Sequence, residues 1–508
     1  MQSRLRIGAL TQRVQIVRIV RLDMERMIDM LAAAGGAGPS MGAPSAALVA
    51  DAGAALPPLW QLGTLPFVAL LLCIAIFPLI PATHHWWERN FSKVQVSVAC
   101  GTATLAYLIL AAPDIEAGAA AAGYAVRHAI LDEYIPFIVL LASLFAVSGG
   151  IAIHARARPT PFVNLTFLIV GTSLASLLGT TGASVLLIRP LLRVNERRTR
   201  KVHTVIFFIF CVSNCGGLLL PIGDPPLFLG YLKGVPFFWT LVLWKEWVIV
   251  NGVLLCIYYT LERRAFRAEP LEVHIERQAV DPGRRFRMEG RVNILWLACI
   301  LAAVAFVVPG RMFPLSEWLS VPFVTPHFLR EGIMVTVLLL SLWTSPFAAR
   351  NHNKFSWHPI AEVAALFIGI FVAMQVPMQV LRSMGGGLGI ETPDQFFWST
   401  GALSAVLDNA PTYLVFLQTA IGLAPPDATG PGILHLVGGE TVHSDVLIAI
   451  SCGAVFMGAM TYIGNGPNFM VKAIAEAQGI RMPGFFGYIG WSVACLLPPL
   501  AVVAALVI

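Results

Sequence analysis

A chain of 508 residues that is 57% hydrophobic and 12% charged, with a mean hydropathy of +0.75, falls well short of the roughly 25% charged residues of soluble domains. That composition excludes a soluble enzyme and a protein with one anchor, and predicts an all-α polytopic membrane protein. The net charge of +6 does not signal nucleic acid, because the basic residues sit in short loops between apolar spans, as in the cytoplasmic loops of membrane proteins. The cysteines all fall inside apolar spans and read as small core residues with no disulfide framework, and nothing in the pattern calls for a cofactor or a resident metal.

Residues 1–57 carry Arg4, Arg6, Arg13, Arg18 and Arg21 in an amphipathic pattern, then an Ala/Gly-rich piece. They read as a poorly structured arm, signal-like or mis-started. Apolar spans follow near 59–81, 93–112 and 134–154. The turn at His84, His85, Arg89 and Lys93 and the boundary at His154, Arg156 and Arg158 are basic, which places them in the cytoplasm and the intervening loop 113–133 outside.

The piece 160–192 has basic flanks at both ends and a turn-like break at Gly179-Thr180-Thr181-Gly182-Ala183-Ser184. The arm after the break spans roughly 20 Å at 1.5 Å per residue, too short for a hydrocarbon core of about 30 Å. A re-entrant hairpin is predicted. Residues 202–235 start as a span and then meet Asn214-Cys-Gly216-Gly217-Leu-Leu-Leu-Pro221-Ile-Gly223-Asp224-Pro225-Pro226, which cannot continue an α-helix. A broken helix carrying Asn214 and Asp224 is expected, with 236–260 returning to the cytoplasm. The polar stretch 261–290 reads as a cytoplasmic linker.

The second half runs through spans at 291–309, 329–349 and 358–383. Segment 395–420 has no Lys or Arg in either flank and is split at Asp408-Asn409-Ala-Pro411-Thr412, so it reads as a second hairpin entering from the opposite side. An ionisable group at such a depth costs about 2.5–3.5 kcal/mol, and backbone freed by Pro411 is acceptable there only where it lines a cavity or binds something. Segment 446–476 is interrupted at Thr461-Tyr-Ile-Gly464-Asn465-Gly466-Pro467-Asn468, and 485–508 completes the chain.

The two halves, 58–260 and 291–508, match in register. Leu174 and Leu178 align with Leu403 and Leu407 at a separation of 229, and Ile222-Gly223-Asp224, Pro226 and Phe228 align with Ile463-Gly464-Asn465, Pro467 and Phe469 at 241. Loop charges give the halves opposite orientations, so the pattern predicts an inverted-topology repeat with two re-entrant hairpins and two broken transmembrane helices. Interrupted segments at corresponding positions of two halves point to a transporter's midplane site.

One half-site would be Asp224 with Asn214, Thr180, Thr181 and Ser184. The other would be Asp408 with Asn409, Thr412, Asn465 and Asn468. Gly223, Pro225, Pro226, Pro411, Gly464 and Pro467 make the breaks. Hard oxygen ligands of this kind suit Na⁺ or Li⁺, and a buried carboxylate can exchange such an ion for a proton. The blander readings are an Asp224 that only caps a half-helix, an Asp408 paired with Arg189 or Lys472, and small hydroxyl residues that only pack helices. Glu246 and Glu362 lie near span ends and read as interface residues. Gln375 and Gln379 are helix contacts or path-lining groups, and His435 and His443 lie in an outer loop. A His-Glu-x-x-His zinc motif is absent, and Pro221-Ile-Gly-Asp224 lacks the first glycine of the Gly-x-Gly-Asp protease pattern.

Across about 59–508 the chain resembles the ion-transporter superfamily, which holds NhaD-type sodium/proton antiporters, ArsB-type exporters and citrate/dicarboxylate carriers. The resemblance rests on Asn214-x-Gly-Gly-x4-Ile-Gly-Asp224-Pro-Pro and Leu407-Asp408-Asn409-x-Pro411-Thr. It implies hairpin tips that meet broken helices, elevator-like movement, a homodimer in the plasma (inner) membrane, and Na⁺ and H⁺ as transported ions. The Ser-Asn-Thr signature of the dicarboxylate carriers is replaced by Gly179-Thr180-Thr181 and Asp408-Asn409, which favours the antiporters over a citrate or oxyanion carrier.

Overall fold

Proline and glycine decide where the helices of this chain stop. In the computed structural model the described residues are 58–78, 80–87, 89–155, 157–269, 286–310, 325–424, 430 and 432–506. The expected N-terminal arm, 1–57, and part of the polar linker, 270–285, lie outside them. The first half contains helices α1 (Trp60–Ile76), α2 (Pro81–Trp87), α3 (Asn90–Ala111), α4 (Ile115–Arg127), α5 (Ile135–Gly149), α6 (Pro161–Leu178), α7 (Thr180–Val194), α8 (Val202–Cys211), α9 (Pro225–Leu232) and α10 (Trp244–Arg267). The second contains α11 (Val292–Phe306), α12 (Leu329–Thr344), α13 (Phe347–His352), α14 (His358–Ala373), α15 (Gln375–Met384), α16 (Pro393–Val406), α17 (Asn409–Leu423), α18 (Ser444–Met457), α19 (Gly466–Glu476), α20 (Phe485–Cys495) and α21 (Leu497–Leu506).

Among the described residues, five helices are long and apolar enough to cross a membrane, or seven if each bent pair counts as one span. The pair α14–α15 bends by 47° and the pair α20–α21 by 41°. Pro377 and the Pro498-Pro499 pair sit just past these breaks, where each removes a ladder donor and crowds the preceding turn. The chain is a polytopic, mostly helical membrane protein.

One expectation changes. Most of 113–133 is helix rather than loop, α4 and the π-turn after it running into α5. The alanine-rich stretch 115–127 favours helix, and Asp114 caps it by accepting from the Ala117 amide at 2.7 Å. Pro136 cannot donate back, and the ladder widens into a π-turn over His128–Tyr134, where the Ile135 amide reaches Ile130 O. The polar region near 261 is also more ordered than a solvated linker. Helix α10 continues to Arg267, and Phe286–Glu289 (β2) pairs antiparallel with Ala152–Ala155 (β1), Ala152 opposite Glu289. A second two-stranded ribbon joins Ile433–His435 (β3) to Thr441–His443 (β4), so His435 and His443 stand on strands.

Packing follows small residues, as expected where lipid removes the advantage of apolar burial between helices. A Cβ on Gly453 would lie 2.6 Å from Phe397 O, and one on Gly369 2.5 Å from Ser97 Cβ, so α16–α18 and α3–α14 approach through glycines. Across the second pair, buried Lys93 donates to Glu362 at 2.6 Å. Arg350 donates to Ala146 O at 2.8 Å and Ser341 O at 3.1 Å, satisfying carbonyls at the ends of α5 and α12.

The buried apolar side chains form two clusters. One draws on α6–α8, α10 and α16–α21, with Phe207, Phe208 and Phe210 fully enclosed. The other draws on α1, α5, α11, α12, α14 and α15. Helices α9 and α17 belong to both: Leu227 and Tyr413 face the first cluster, Phe228 and Leu414 the second. The broken segments therefore lie along the seam.

Candidate functional site

Four helix starts meet in the interior. Gly179, at φ +75°, separates α6 from α7, a left-handed backbone for which glycine is the default residue. Thr180 then opens α7, and its amide donates to Gly223 O at 2.8 Å. In the second half the chain leaves α16 at Leu407, Asp408 caps α17, and the Asn409 amide donates to Gly464 O at 3.2 Å. The two bonds occupy equivalent positions in the register read from the sequence.

The broken helices match as closely. Asp224 (φ −143°, ψ 144°) and Asn465 (φ −154°, ψ 138°) are extended N-caps, each followed by proline in the first turn. A Cβ on Gly223 would sit 2.1 Å from Gly217 O, and one on Gly464 2.6 Å from Gly458 O. Each half thus folds its unwound segment back on itself across the same glycine pair.

Asp224, 1% exposed, is the centre of the polar groups gathered there. Its Oδ1 accepts from Thr180 Oγ1 at 2.7 Å and Asn465 Nδ2 at 3.2 Å, and its Oδ2 accepts from Asn409 Nδ2 at 2.7 Å. Asn465 Nδ2 also donates to Asn214 Oδ1 at 3.0 Å, and Asn214 Nδ2 donates to Asn468 Oδ1 at 2.7 Å. Asn468 Nδ2 in turn reaches Gly458 O at 2.8 Å and Thr461 O at 2.9 Å. Every donor on the Asp224 carboxylate named here is neutral. Asn409 Oδ1 beside it is buried and has no hydrogen-bond partner among the described residues.

This grouping differs from the two half-sites read from the sequence. Asn409 and Asn465, grouped there with Asp408, donate to Asp224 instead. Asn214, grouped with Asp224, bonds the asparagines of the second half. Asp408 is half-buried and accepts from the Ala410 amide at 3.1 Å, while Thr412 Oγ1 donates to the Asp408 carbonyl at 2.9 Å. Ser184 Oγ pairs with Ser213 Oγ at 2.8 Å, one turn of α7 away from the carboxylate, and Thr181 is half-buried beside Thr180. Lys472 lies over the Tyr462 ring at 5.0 Å and near Glu476 at 3.6 Å, not on Asp408.

A supporting set was not singled out from the sequence. Ser176 Oγ and Trp247 Nε1 donate to Gly216 O at 2.6 and 3.2 Å, Asn251 Nδ2 to Cys215 O at 3.3 Å, and Thr240 Oγ1 to Leu219 O at 2.9 Å. They satisfy carbonyls freed by the unwound stretch, as buried backbone requires. Thr461 does the same in the second half, donating to Ala405 O at 2.6 Å and accepting from the Gly464 amide at 3.2 Å. The available signal was polar residues one turn apart, Trp247 and Asn251, inside an apolar span.

A polytopic helical protein whose interior is organised around interrupted helices and buried polar groups has the architecture of a membrane transporter. The family described as "Putative citrate transport" matches residues 55–508, and the chain belongs to that family. It is similar to a 46 kDa membrane protein of Mycobacterium leprae, 26% identical over 339 residues that cover 64% of this chain and 72% of the relative. Two further relatives, described as uncharacterized transporters of Mycobacterium bovis and Mycobacterium tuberculosis, are each 24% identical over 333 residues, covering 64% of this chain and 72% of theirs. The family and the names of these relatives indicate a transporter.

Proposed function

We propose that the protein is a secondary active transporter of the plasma (inner) membrane that exchanges Na⁺ or Li⁺ for H⁺ at Asp224. The observation that carries this reading is a fully enclosed carboxylate met only by hydroxyl and amide donors, with the unpartnered Asn409 Oδ1 next to it. A buried charge without a countercharge costs several kcal/mol. A small cation or a proton supplies the missing charge, and one carboxylate serving both makes their binding mutually exclusive. Hard oxygens from Asp224, Asn409, Asn214 and Thr180 suit an alkali cation better than a soft metal. Asp408, at the neighbouring helix start, is the secondary acid.

The matched bonds Thr180–Gly223 and Asn409–Gly464 support an inverted repeat of hairpin and broken helix, with α6–α7 and α16–α17 as re-entrant pairs entering from opposite sides. Such a repeat brings the same local site to the midplane from each half.

A second reading has its own observation. Four helix N-termini converge, at Thr180, Pro225, Asn409 and Gly466, and helix N-termini favour anions. Together with the description of the family, this supports a citrate or dicarboxylate carrier in which Asp224 holds the coupling cation. Dye-monitored proton movement in everted vesicles, with Na⁺, Li⁺ and citrate added in turn, separates the two. Na⁺-driven proton efflux without citrate supports exchange. Proton or Na⁺ movement that requires citrate assigns the carrier, and no response to any of the three removes both.

A further inference from the structure

Another polar chain begins at the opposite end of the Asp224 half-helix. Helix α9 starts after Asp224 and ends at its C-cap, Lys233, about 12 Å further on for eight residues at 1.5 Å each. Lys233 Nζ pairs with Glu133, whose side chain is 3% exposed. Glu133 lies in the π-turn, and that geometry matters. In an α-helix the i+3 and i+4 residues reach a side chain, but the widened turn brings i+4 and i+5 to the His128 ring. His128 Nδ1 stands 2.9 Å from Asp132 Oδ2, and His128 Nε2 stands 3.3 Å from Glu133 Oε1. Asp132 Oδ1 then meets His327 Nε2 at 3.0 Å.

Side-chain exposure rises along this line, from 3% at Glu133 through 31% at His128 and 40% at Asp132 to 57% at His327. Among the described residues, the other groups shown against it are neutral: Gln375 Nε2 at 3.3 Å from Glu133 Oε2, the Tyr124 ring stacked on His128, and the Phe328 ring against His327. An imidazole takes a proton at one nitrogen and releases one from the other. A proton entering at His327 can therefore pass to Asp132 and on to His128. Its arrival sets a second cation beside Glu133 Oε1, the atom that Lys233 Nζ holds, and weakens the Lys233 ion pair.

We propose that His327, Asp132, His128 and Glu133 form a second proton site, open at His327, whose occupancy holds or frees the Asp224 half-helix through Lys233. The proposal deepens the cation-exchange reading and rests on it only for the consequence in transport. The tether itself is testable without transport.

The test uses the purified full chain in detergent, with thermal unfolding midpoints measured across about pH 5–10, wide enough to take in a histidine held between two carboxylates. Wild type is expected to show a step in midpoint with pH. His128→Gln, never charged, and His128→Lys, always charged, should flatten that step at opposite ends of the wild-type range, and Lys233→Met should remove it. A merely structural role would lower the midpoint of both His128 variants alike and leave the step in place, which overturns the proposal. In proteoliposomes the same two variants should displace the pH profile of Na⁺-driven exchange in opposite directions by about one unit, the usual spread of histidine values. Unchanged profiles with wild-type exchange intact also overturn it. Absence of exchange in wild type, with the stability step behaving as expected, rejects the cation-exchange reading and supports the tether.

Discussion

Asp224 and Glu262 are both enclosed carboxylates, and their surroundings could hardly differ more. Glu262, 0% exposed, is gripped by Arg198 Nη1, by His203 Nε2 at 2.6 Å and by Asn164 Nδ2 at 2.9 Å. Arg198 also reaches Glu269 Oε1 with Nε at 3.1 Å. That cluster carries its own cations and ties the loop before α8 to the end of α10. Asp224 has only Thr180, Asn409 and Asn465. A carboxylate with a resident guanidinium has no need of a mobile ion, whereas one held by neutral donors is compensated by whatever cation arrives. On the proposed reading, the contrast separates a structural acid from a transport acid more sharply than burial does.

The largest expected effect breaks that comparison directly. Asp224→Asn should bring Na⁺-driven proton movement in everted vesicles down to the level of vesicles without the protein, while the variant inserts and purifies normally. Glu262→Gln should leave exchange per folded molecule intact. Arg198→Met comes next. It takes the shared guanidinium from Glu262 and Glu269, leaving Glu262 to His203 and Asn164, and breaking a buried pair costs about 3–5 kcal/mol. A lowered unfolding midpoint with unchanged exchange in the surviving fraction is expected, and Arg198→Met combined with Glu262→Gln should recover part of the loss.

The breaks were legible in the sequence because they are local: Gly179, Pro225-Pro226, Pro411 and Gly464 each forbid a continuing helix by their own chemistry. The register between halves was legible for the same reason, since two breaks recur in order. Partnership was not. Asn409 adjoins Asp408 and Asn465 lies on the second half's broken helix, both far from Asp224 in sequence, and only the meeting of the two halves hands them to Asp224. The same holds for Arg198 and Glu269, which read as loop charges until the end of α10, with Glu262 and the Phe266 ring, meets them. The helix at 115–127 was missed because an alanine-rich stretch shows little apolar periodicity, although its propensity favours helix.

Intermediate effects sharpen the contrast. Burial pushes the Glu269 carboxyl up, but Arg198 and the amides of Thr199 and Arg200, both at 3.3 Å, outweigh it and hold the group below its ordinary value. A carboxyl depressed in the folded state adds stability above its unfolded value and loses it as pH falls. The wild-type unfolding midpoint should therefore drop below about pH 4.3, the ordinary glutamate value, and Glu269→Gln should flatten that acid limb while lowering the midpoint at neutral pH. Asn409→Ala removes one donor to Asp224 and the unpartnered oxygen beside it. A net hydrogen bond is worth about 1 kcal/mol, so the Na⁺ concentration for half-maximal exchange should rise several-fold, with proton coupling retained.

The smallest effect is expected at the acid that looked equal to Asp224 in the sequence. Asp408 is half-buried, its described side-chain bond is to the Ala410 amide, and it caps α17 as any short polar residue can. Asn is as good an N-cap as Asp, so Asp408→Asn should fold and keep the Asn409 amide on Gly464. Its exchange should fall by less than tenfold, under about 1.4 kcal/mol, against the complete loss in Asp224→Asn. If instead the two variants are equally dead, the neutral-donor argument is insufficient, and the two acids act as one site although the structure shows no bond between them. Retention of Na⁺ binding in Asp408→Asn with loss of proton coupling would divide the ion and the proton between Asp224 and Asp408. That outcome would move the second acid from a helix cap into the exchange step.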